Sequence, residues 1–302
     1  MWFECNNLTK VLDGYTLKDI SFGLEPGTVL GLIGTNGSGK TTLIRCLLGS
    51  YHPDSDKGDG GEIILDGSHY QNDMKAYRQK LGYVLQSQPY SEFMHAVQVG
   101  EVYGRFYNGF DLKKYKELLK KYEVPEKKLL TEFSSGQQIR LQFAFMQSYE
   151  AKLYIMDEPV GNLDVEFRDS VYDMIRELTA GEEKAVILSS HLVTELERIA
   201  DKLLWIRKTD DISKVSYLGD MDELKEQYRL LSTGLDKEEL GKAGISADMI
   251  AGYRLRSSHN EYLLWDSKGQ IEKKLPADLV KDIRYADLNE IMYYVEKEED
   301  DE

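Results

Sequence analysis

The apolar run TVLGLI at residues 28–33 leads directly into GTNGSGKTT at 34–42, and no other stretch of this chain limits its fold as strongly. Gly34, four further residues, Gly39, Lys40 and Thr41 follow the spacing of a phosphate-binding loop, a pattern that has meaning only between a strand and a helix. The hexamer before it supplies the strand. Gly37 and Gly39 let the backbone curl tightly, so that successive amides from Gly34, Thr35, Asn36 and Ser38 turn toward an anion. The positive end of the following helix adds to that attraction. Lys40 brings a point charge to the β- and γ-phosphates, the Thr41 hydroxyl is placed to hold Mg²⁺, and Thr42 serves an outer phosphate.

A strand–loop–helix of this kind belongs in an α/β protein, and the remaining pattern agrees. Residues 153–156 and AVILSS at 185–190 are short and continuously apolar, as parallel strands covered on both faces are. Between them Val171, Met174, Ile175 and Leu178 recur at helical spacing until Ala180-Gly181 closes the helix. The stretch from about 91 to 150 reads differently. DLKKYKELLKKY puts Leu112, Tyr115, Leu118, Leu119 and Tyr122 on one helical face, and the run after residue 137 is again helical, which predicts an inserted helical subdomain. Beyond about 224, YRLL, YRLRSS and EYLLW alternate as strands do and predict a small α+β appendage. The expected division is 1–224 and 225–302. HPDSDKGDGG at 52–61 reads as a surface loop, and the acidic run from Glu296 to Glu302 as a solvated, self-repelling tail.

Two acids, Asp157 and Glu158, sit where the buried strand LYIMD ends, the edge at which α/β sheets place ligands. Asp157 suits a carboxylate in the shell of Mg²⁺, and Glu158 a general base that polarises the water attacking a γ-phosphate. Such pairs also occur as plain surface charge at strand ends. FSSGQQIR at 133–140 separates the two readings, because it resembles the LSGGQ signature of the ATP-binding cassette (ABC) family, with Phe133 for leucine and Ser135 for the first glycine. Gln86 in GYVLQ is similar to the family's Q-loop glutamine, GNLD at 161–164 to its D-loop, and His191 to its switch histidine, in family order and at family separations.

The resemblance covers residues 1 to about 224 and implies a P-loop NTPase (RecA-like) core of mostly parallel sheet. It implies binding of ATP and Mg²⁺, with Thr41, Gln86 and Asp157 at the metal and Glu158, His191 and Gln86 in catalysis. It also implies that Ser134, Gly136, Gln137 and Asp164 contact nucleotide in a sandwich formed with a second cassette, identical or not. The family's adenine-stacking position falls near Val11 or Leu12 rather than on Tyr15, which is a candidate aromatic for that role, with packing as its alternative. The family's transport subunits dock on an integral-membrane partner beside the Q-loop, and Gln88, Pro89, Tyr90, Phe93 and Met94 line that groove or else pack inside the helical insertion. FYNGFDLKKYKELL and the altered signature look similar to ATPases of bacterial exporters, with an importer, or a soluble ABC protein acting on ribosomes or DNA, as alternatives.

Charge bears on that last alternative. With 53 acidic against 38 basic residues the formal net charge is −15, which opposes contact with nucleic-acid phosphates. Cys5 and Cys46 lack the spacing of a metal site or a disulfide framework, and no uncharged apolar run approaches the roughly 18 residues of a membrane span. The expected location is therefore the cytoplasmic face of a membrane, reached through the membrane subunit.

Overall fold

The computed structural model describes residues 2–54, 61–161, 163–256, 258–266, 271 and 282–297. Residues 55–60 of the predicted surface loop, Asn162 of GNLD and residues 298–302 of the acidic tail lie outside them. The chain divides into two compact units, Met1–Leu218 and Gly219–Glu302.

Ten strands form one sheet: β1 Phe3–Leu12, β2 Tyr15–Leu24, β3 Val29–Ile33, β4 Glu62–Leu65, β5 Ser68–His69, β6 Leu81–Val84, β7 Leu153–Asp157, β8 Ala185–Ser189, β9 Lys202–Thr209 and β10 Ile212–Asp220. Their order is β5-β4-β1-β2-β10-β9-β3-β8-β7-β6. Strands β6, β7, β8, β3 and β9 pair in parallel. Every residue of β3, β7 and β8 is buried, which is why these segments read as unbroken apolar runs. The remainder includes an antiparallel portion, β1 with β2 and β4, and β4 with β5. Its period-2 signal is broken by register shifts around Leu8, where Asn7 takes a left-handed φ of 54°.

Helix α1 (Lys40–Leu47) leaves the carboxyl end of β3 and buries Leu43, Ile44, Cys46 and Leu47 in the same core as Leu30, Leu32, Ile155 and Ile187. That packing fixes the loop between strand and helix from both ends. After α2 (Met74–Gln79), the segment between β6 and β7 carries α3 (Ala96–Tyr103), α4 (Leu112–Lys121) and α5 (Ser135–Met146), with no strand among its residues. Asp111 caps α4 by accepting from the amides of Lys113 and Lys114, both at 2.9 Å. The apolar face of α4 buries Tyr115, Leu118 and Leu119. Phe145 of α5 forms the centre of this helical part, with the rings of Phe110, Tyr90, Tyr107 and Tyr115 at 4.9, 5.2, 5.3 and 5.9 Å. Helices α6 (Val165–Ala180) and α7 (Val193–Ile199) follow β7 and β8.

The second unit has α8 (Met221–Glu226), β11 Tyr228–Thr233, α9 (Lys237–Lys242), β12 Ile250–Leu255, β13 Asn260–Trp265, β14 Ile283–Tyr285 and α10 (Leu288–Lys297). Its strands pair antiparallel in the order β12-β13-β11-β14 around Leu231, Leu240, Ile245, Tyr262 and Leu264.

Candidate functional site

Gly34 follows β3 with φ 150°, and Gly39 precedes α1 with φ 103°. A Cβ on Gly34 would stand 2.3 Å from the Ile206 carbonyl oxygen, and one on Gly39 only 1.7 Å from the Tyr15 hydroxyl, so neither position admits a side chain. The loop between them runs from buried Gly34 through exposed Thr35, Asn36 and Gly37 to Ser38, whose hydroxyl is fully buried without a hydrogen-bond partner. Gly39 provides no side-chain cap, so the first amides of α1 are not taken up by a capping side chain. Lys40 folds over the loop, its Nζ donating to the carbonyls of Gly34 at 2.7 Å and Thr35 at 3.1 Å. An orphaned hydroxyl, uncapped amides and a folded-back ammonium together suit a polyphosphate.

A cleft of ≈ 560 Å³ opens above this loop, lined by Tyr15, Asn36, Gly37, Gly39, Lys40, Thr41, Thr42, Gln86, Glu158 and His191. Strand ends bring these distant residues together. Asp157, 5% exposed at the end of β7, accepts from the Thr41 hydroxyl at 3.2 Å and from the Ser189 hydroxyl at 2.6 Å. Ser189, the last residue of β8, also accepts from the Glu158 amide at 3.0 Å. Nothing in the apolar run of β8 marked Ser189 in advance, and the partners it joins lie 32 and 31 positions away. Glu158 itself takes a left-handed φ of 49°, a conformation that costs a side-chain-bearing residue about 1–3 kcal/mol and is met at functional sites. Its carboxylate Oε2 accepts from His191 Nδ1 at 2.9 Å, and half of the His191 side chain is exposed to the cleft.

Thr41 and Asp157 touch, and with Gln86 in the same cleft they offer oxygens of the hard type that magnesium takes. Among the described residues no group of three or more His, Cys, Asp or Glu could hold an ion alone.

Tyr15 donates from its hydroxyl to the Ser38 carbonyl at 3.3 Å, and burial raises its pKa, so it stays protonated. The FSSGQ segment lies outside the cleft. Ser134 is exposed at the start of α5, accepting from the Gln137 amide at 3.3 Å while the Gln137 side chain accepts from the Ser134 amide at 3.1 Å. Asp164 caps α6 through the Phe167 amide at 2.9 Å and pairs with Arg140 of α5. The amide first, and then Arg140, hold its carboxyl below the ordinary range. Gln86 is exposed at the cleft mouth. Of the five residues expected to line a docking groove, Tyr90 does not. It is buried against Tyr103 and Phe145, the internal packing that was its alternative, because a tyrosine between two helices of an aromatic core gains more from burial than from solvent. Phe93 is 83% exposed.

Residues 17–161 match the family model described as ABC transporter. The chain is 30% identical over 238 residues to the ABC transporter ATP-binding protein YtrB of Bacillus subtilis, covering 78% of this chain and 77% of that one. The chain belongs to the ABC transporter ATP-binding proteins. Its relatives carry names of different kinds. The daunorubicin resistance ATP-binding protein DrrA3 of Streptomyces coeruleorubidus is 29% identical over 80% of this chain and 73% of its own. The galactose/methyl galactoside import protein MglA of Fusobacterium nucleatum is 28% identical over 70% and 45%. A dimeric post-hydrolysis ATP-binding cassette, MJ0796, bound to ADP and Pi, shares the fold, with a TM-score of 0.61 at 20% identity over 72% of this chain and 98% of that one. This ABC protein is thus an ATPase of the P-loop NTPase fold, with a helical insertion and a small C-terminal sheet.

Proposed function

We propose that this ABC ATPase powers export through a separate integral-membrane subunit, acting as one of two cassettes that sandwich ATP at the cytoplasmic face of the membrane. One observation carries the reading. The phosphate cleft contains Lys40, Thr41, Gln86, Glu158 and His191 of its own chain but nothing from Ser134–Gln137 at the start of α5, where Ser134 and Ser135 are exposed and Gly136 and Gln137 half-buried. Donors that are present, at least partly exposed and absent from their own cleft fit a site completed by a second cassette.

In that reading Lys40 exchanges the carbonyls of Gly34 and Thr35 for the β- and γ-phosphates, and the Ser38 hydroxyl gains its missing partner. Thr41, with Gln86 and Asp157, would hold magnesium, which would supply neutralisation of phosphate charge. Ser189 fixes the Asp157 carboxylate and the Glu158 backbone, so that Glu158 faces the cleft as the base for the attacking water. His191, oriented by its hydrogen bond to Glu158, contacts the γ-phosphate. Ser134, Gly136 and Gln137 of the opposite cassette close on the same phosphate, with Asp164 beside them, and loss of that phosphate opens the pair.

Among the described residues no helix is long and apolar enough to cross a membrane. The substrate path therefore falls to the membrane subunit, with exposed Phe93 beyond Gln86 as part of its dock. Export rests on the resemblance to exporter ATPases and on the drug-resistance relative. An importer is the competing direction, favoured by the MglA match. Replacing Glu158 by Gln tests the site: ATP binding persists, turnover falls about 10²- to 10⁴-fold, and ATP drives a stable pair on gel filtration. Near-normal hydrolysis by that variant refutes the assignment. Capture of a membrane protein from detergent-solubilised membranes, rather than of ribosomes or DNA, separates transport from the soluble alternatives.

A further inference from the structure

Behind the cleft runs a chain of polar groups that the hydrolytic reading leaves unused. Arg140 of α5, the helix that begins at Ser134, pairs with Asp164. Next to Asp164, the Leu163 carbonyl accepts from Arg168 Nη2 at 3.3 Å. Arg168 Nη1 faces Glu195 Oε1 at 3.7 Å, and Glu195 Oε2 accepts from the Ser190 hydroxyl at 3.1 Å. Ser190 in turn accepts from the Leu192 amide at 3.0 Å, so its hydroxyl braces the turn on which His191 stands.

Two features mark this chain as more than surface charge. Glu195 is 5% exposed and Ser190 4%, and a buried carboxylate is costly unless it is paired and hydrogen-bonded, which here falls to Arg168 and Ser190. The network is also only partly satisfied: Glu195 Oε1, Arg168 Nε and the nearby Tyr172 hydroxyl are buried without hydrogen bonds. At 3.7 Å the pair stands just beyond hydrogen-bond distance.

We propose that Arg168 and Glu195 are positioning residues that link the Ser134 end of α5 to His191, so that engagement of one cassette's serine with its partner's nucleotide aligns the histidine over its own. The inference rests on the two-cassette reading and adds to it a route between the sites. A pull on α5 reaches Leu163 through Arg140 and Asp164, closes Arg168 on Glu195, and through Ser190 sets the His191 turn.

The test uses the full chain with magnesium and ATP, comparing the parent with Arg168→Met, Glu195→Gln, both together, and the milder Ser190→Ala. The parent rate is expected to rise cooperatively with ATP, with a Hill coefficient above one. Each single change at Arg168 or Glu195 lowers kcat about fivefold to tenfold with KM little altered and brings the Hill coefficient to one. The double variant is no slower than the slower single, because a broken relay cannot break twice. Ser190→Ala gives a smaller shift in the same direction and decides the matter where the charge variants do not fold. Retained cooperativity in folded variants, losses that multiply in the double, or a parent without cooperativity each overturn the relay. Failure of the two-cassette reading itself looks different: Glu158→Gln then stays single in solution with ATP.

Discussion

Two helices of this protein begin at glycine- and serine-rich turns, and they are finished in opposite ways. Helix α1 starts after Gly39, which supplies no side-chain cap, so its amides and the buried Ser38 hydroxyl stand ready for a ligand. Helix α5 starts after Ser134, where a reciprocal capping box already satisfies the Gln137 amide. The box leaves the Gly136 amide ahead of it, and the Ser134 oxygen accepts within the box while its own hydrogen is free to donate. One end is a cradle shaped by missing side chains, and the other is a preformed hook held by present ones. A cradle is sensitive to added atoms and a hook to removed ones.

The largest expected effect comes from filling the cradle. In Gly34→Ala the new Cβ meets the Ile206 carbonyl at 2.3 Å and the Ser38 hydroxyl at 2.4 Å, with φ at 150°. Strain and overpacking of about 1–3 kcal/mol each force the loop out of shape, and nucleotide affinity falls by more than about 10²-fold. Titration with a fluorescent ATP analogue reads this directly. Gly37→Ala separates backbone strain from overpacking: at φ 82° a side chain is strained although nothing lies within 4 Å of its Cβ, so binding should weaken, but by less than in Gly34→Ala. If it binds as poorly as Gly34→Ala, the cradle's shape is not what holds the phosphates.

This contrast also explains what could be read from the chain alone. The cradle was legible because glycines at fixed spacing after VLGLI state a backbone shape, and buried β3, β7 and β8 state a parallel sheet. The antiparallel β1 and β2 were not, because Asn7 and the bulges around Leu8 break the alternation that announces a strand. The strands of the second unit, YRLL, YRLRSS and EYLLW, showed themselves by that same alternation. Ser189, Arg168 and Glu195 left no local trace: each matters through a partner far away in sequence, and a polar residue in an apolar run looks alike whether it is braced or idle. Tyr90 showed the opposite difficulty, since an aromatic beside a functional loop reads as surface or core according to neighbours such as Phe145 that only the fold supplies.

Removing the hook should cost less than filling the cradle. Ser134→Ala deletes one hydroxyl that both caps α5 and, in the proposed pair, donates to the γ-phosphate. A hydrogen bond to a charged group contributes about 1.5–3 kcal/mol, so turnover falls about tenfold or more while ATP binding to the single chain is unchanged. The lost cap lowers stability by about 1 kcal/mol in thermal melts. Full turnover with only the melt affected would reduce Ser134 to a helix cap.

The smallest effect sharpens the boundary between cradle and packing at Tyr15. Its hydroxyl reaches the Ser38 carbonyl at 3.3 Å, its ring lines the cleft, and Lys208 Nζ lies 5.6 Å from the ring centre, so the same side chain braces the loop and offers a face to a base. The hydroxyl bond is long and weak, and Tyr15→Phe keeps the ring, so KM for ATP should stay within about twofold. Tyr15→Leu removes the stacking face, worth at least about 1 kcal/mol per base, and should raise KM about fivefold with kcat preserved. Stacking is tolerant of which base is presented, so the rise for GTP should match that for ATP. A leucine variant with lower melting temperature and unchanged KM for both nucleotides would place Tyr15 with the packing of the loop. The adenine-stacking role would then pass to another side chain at the rim.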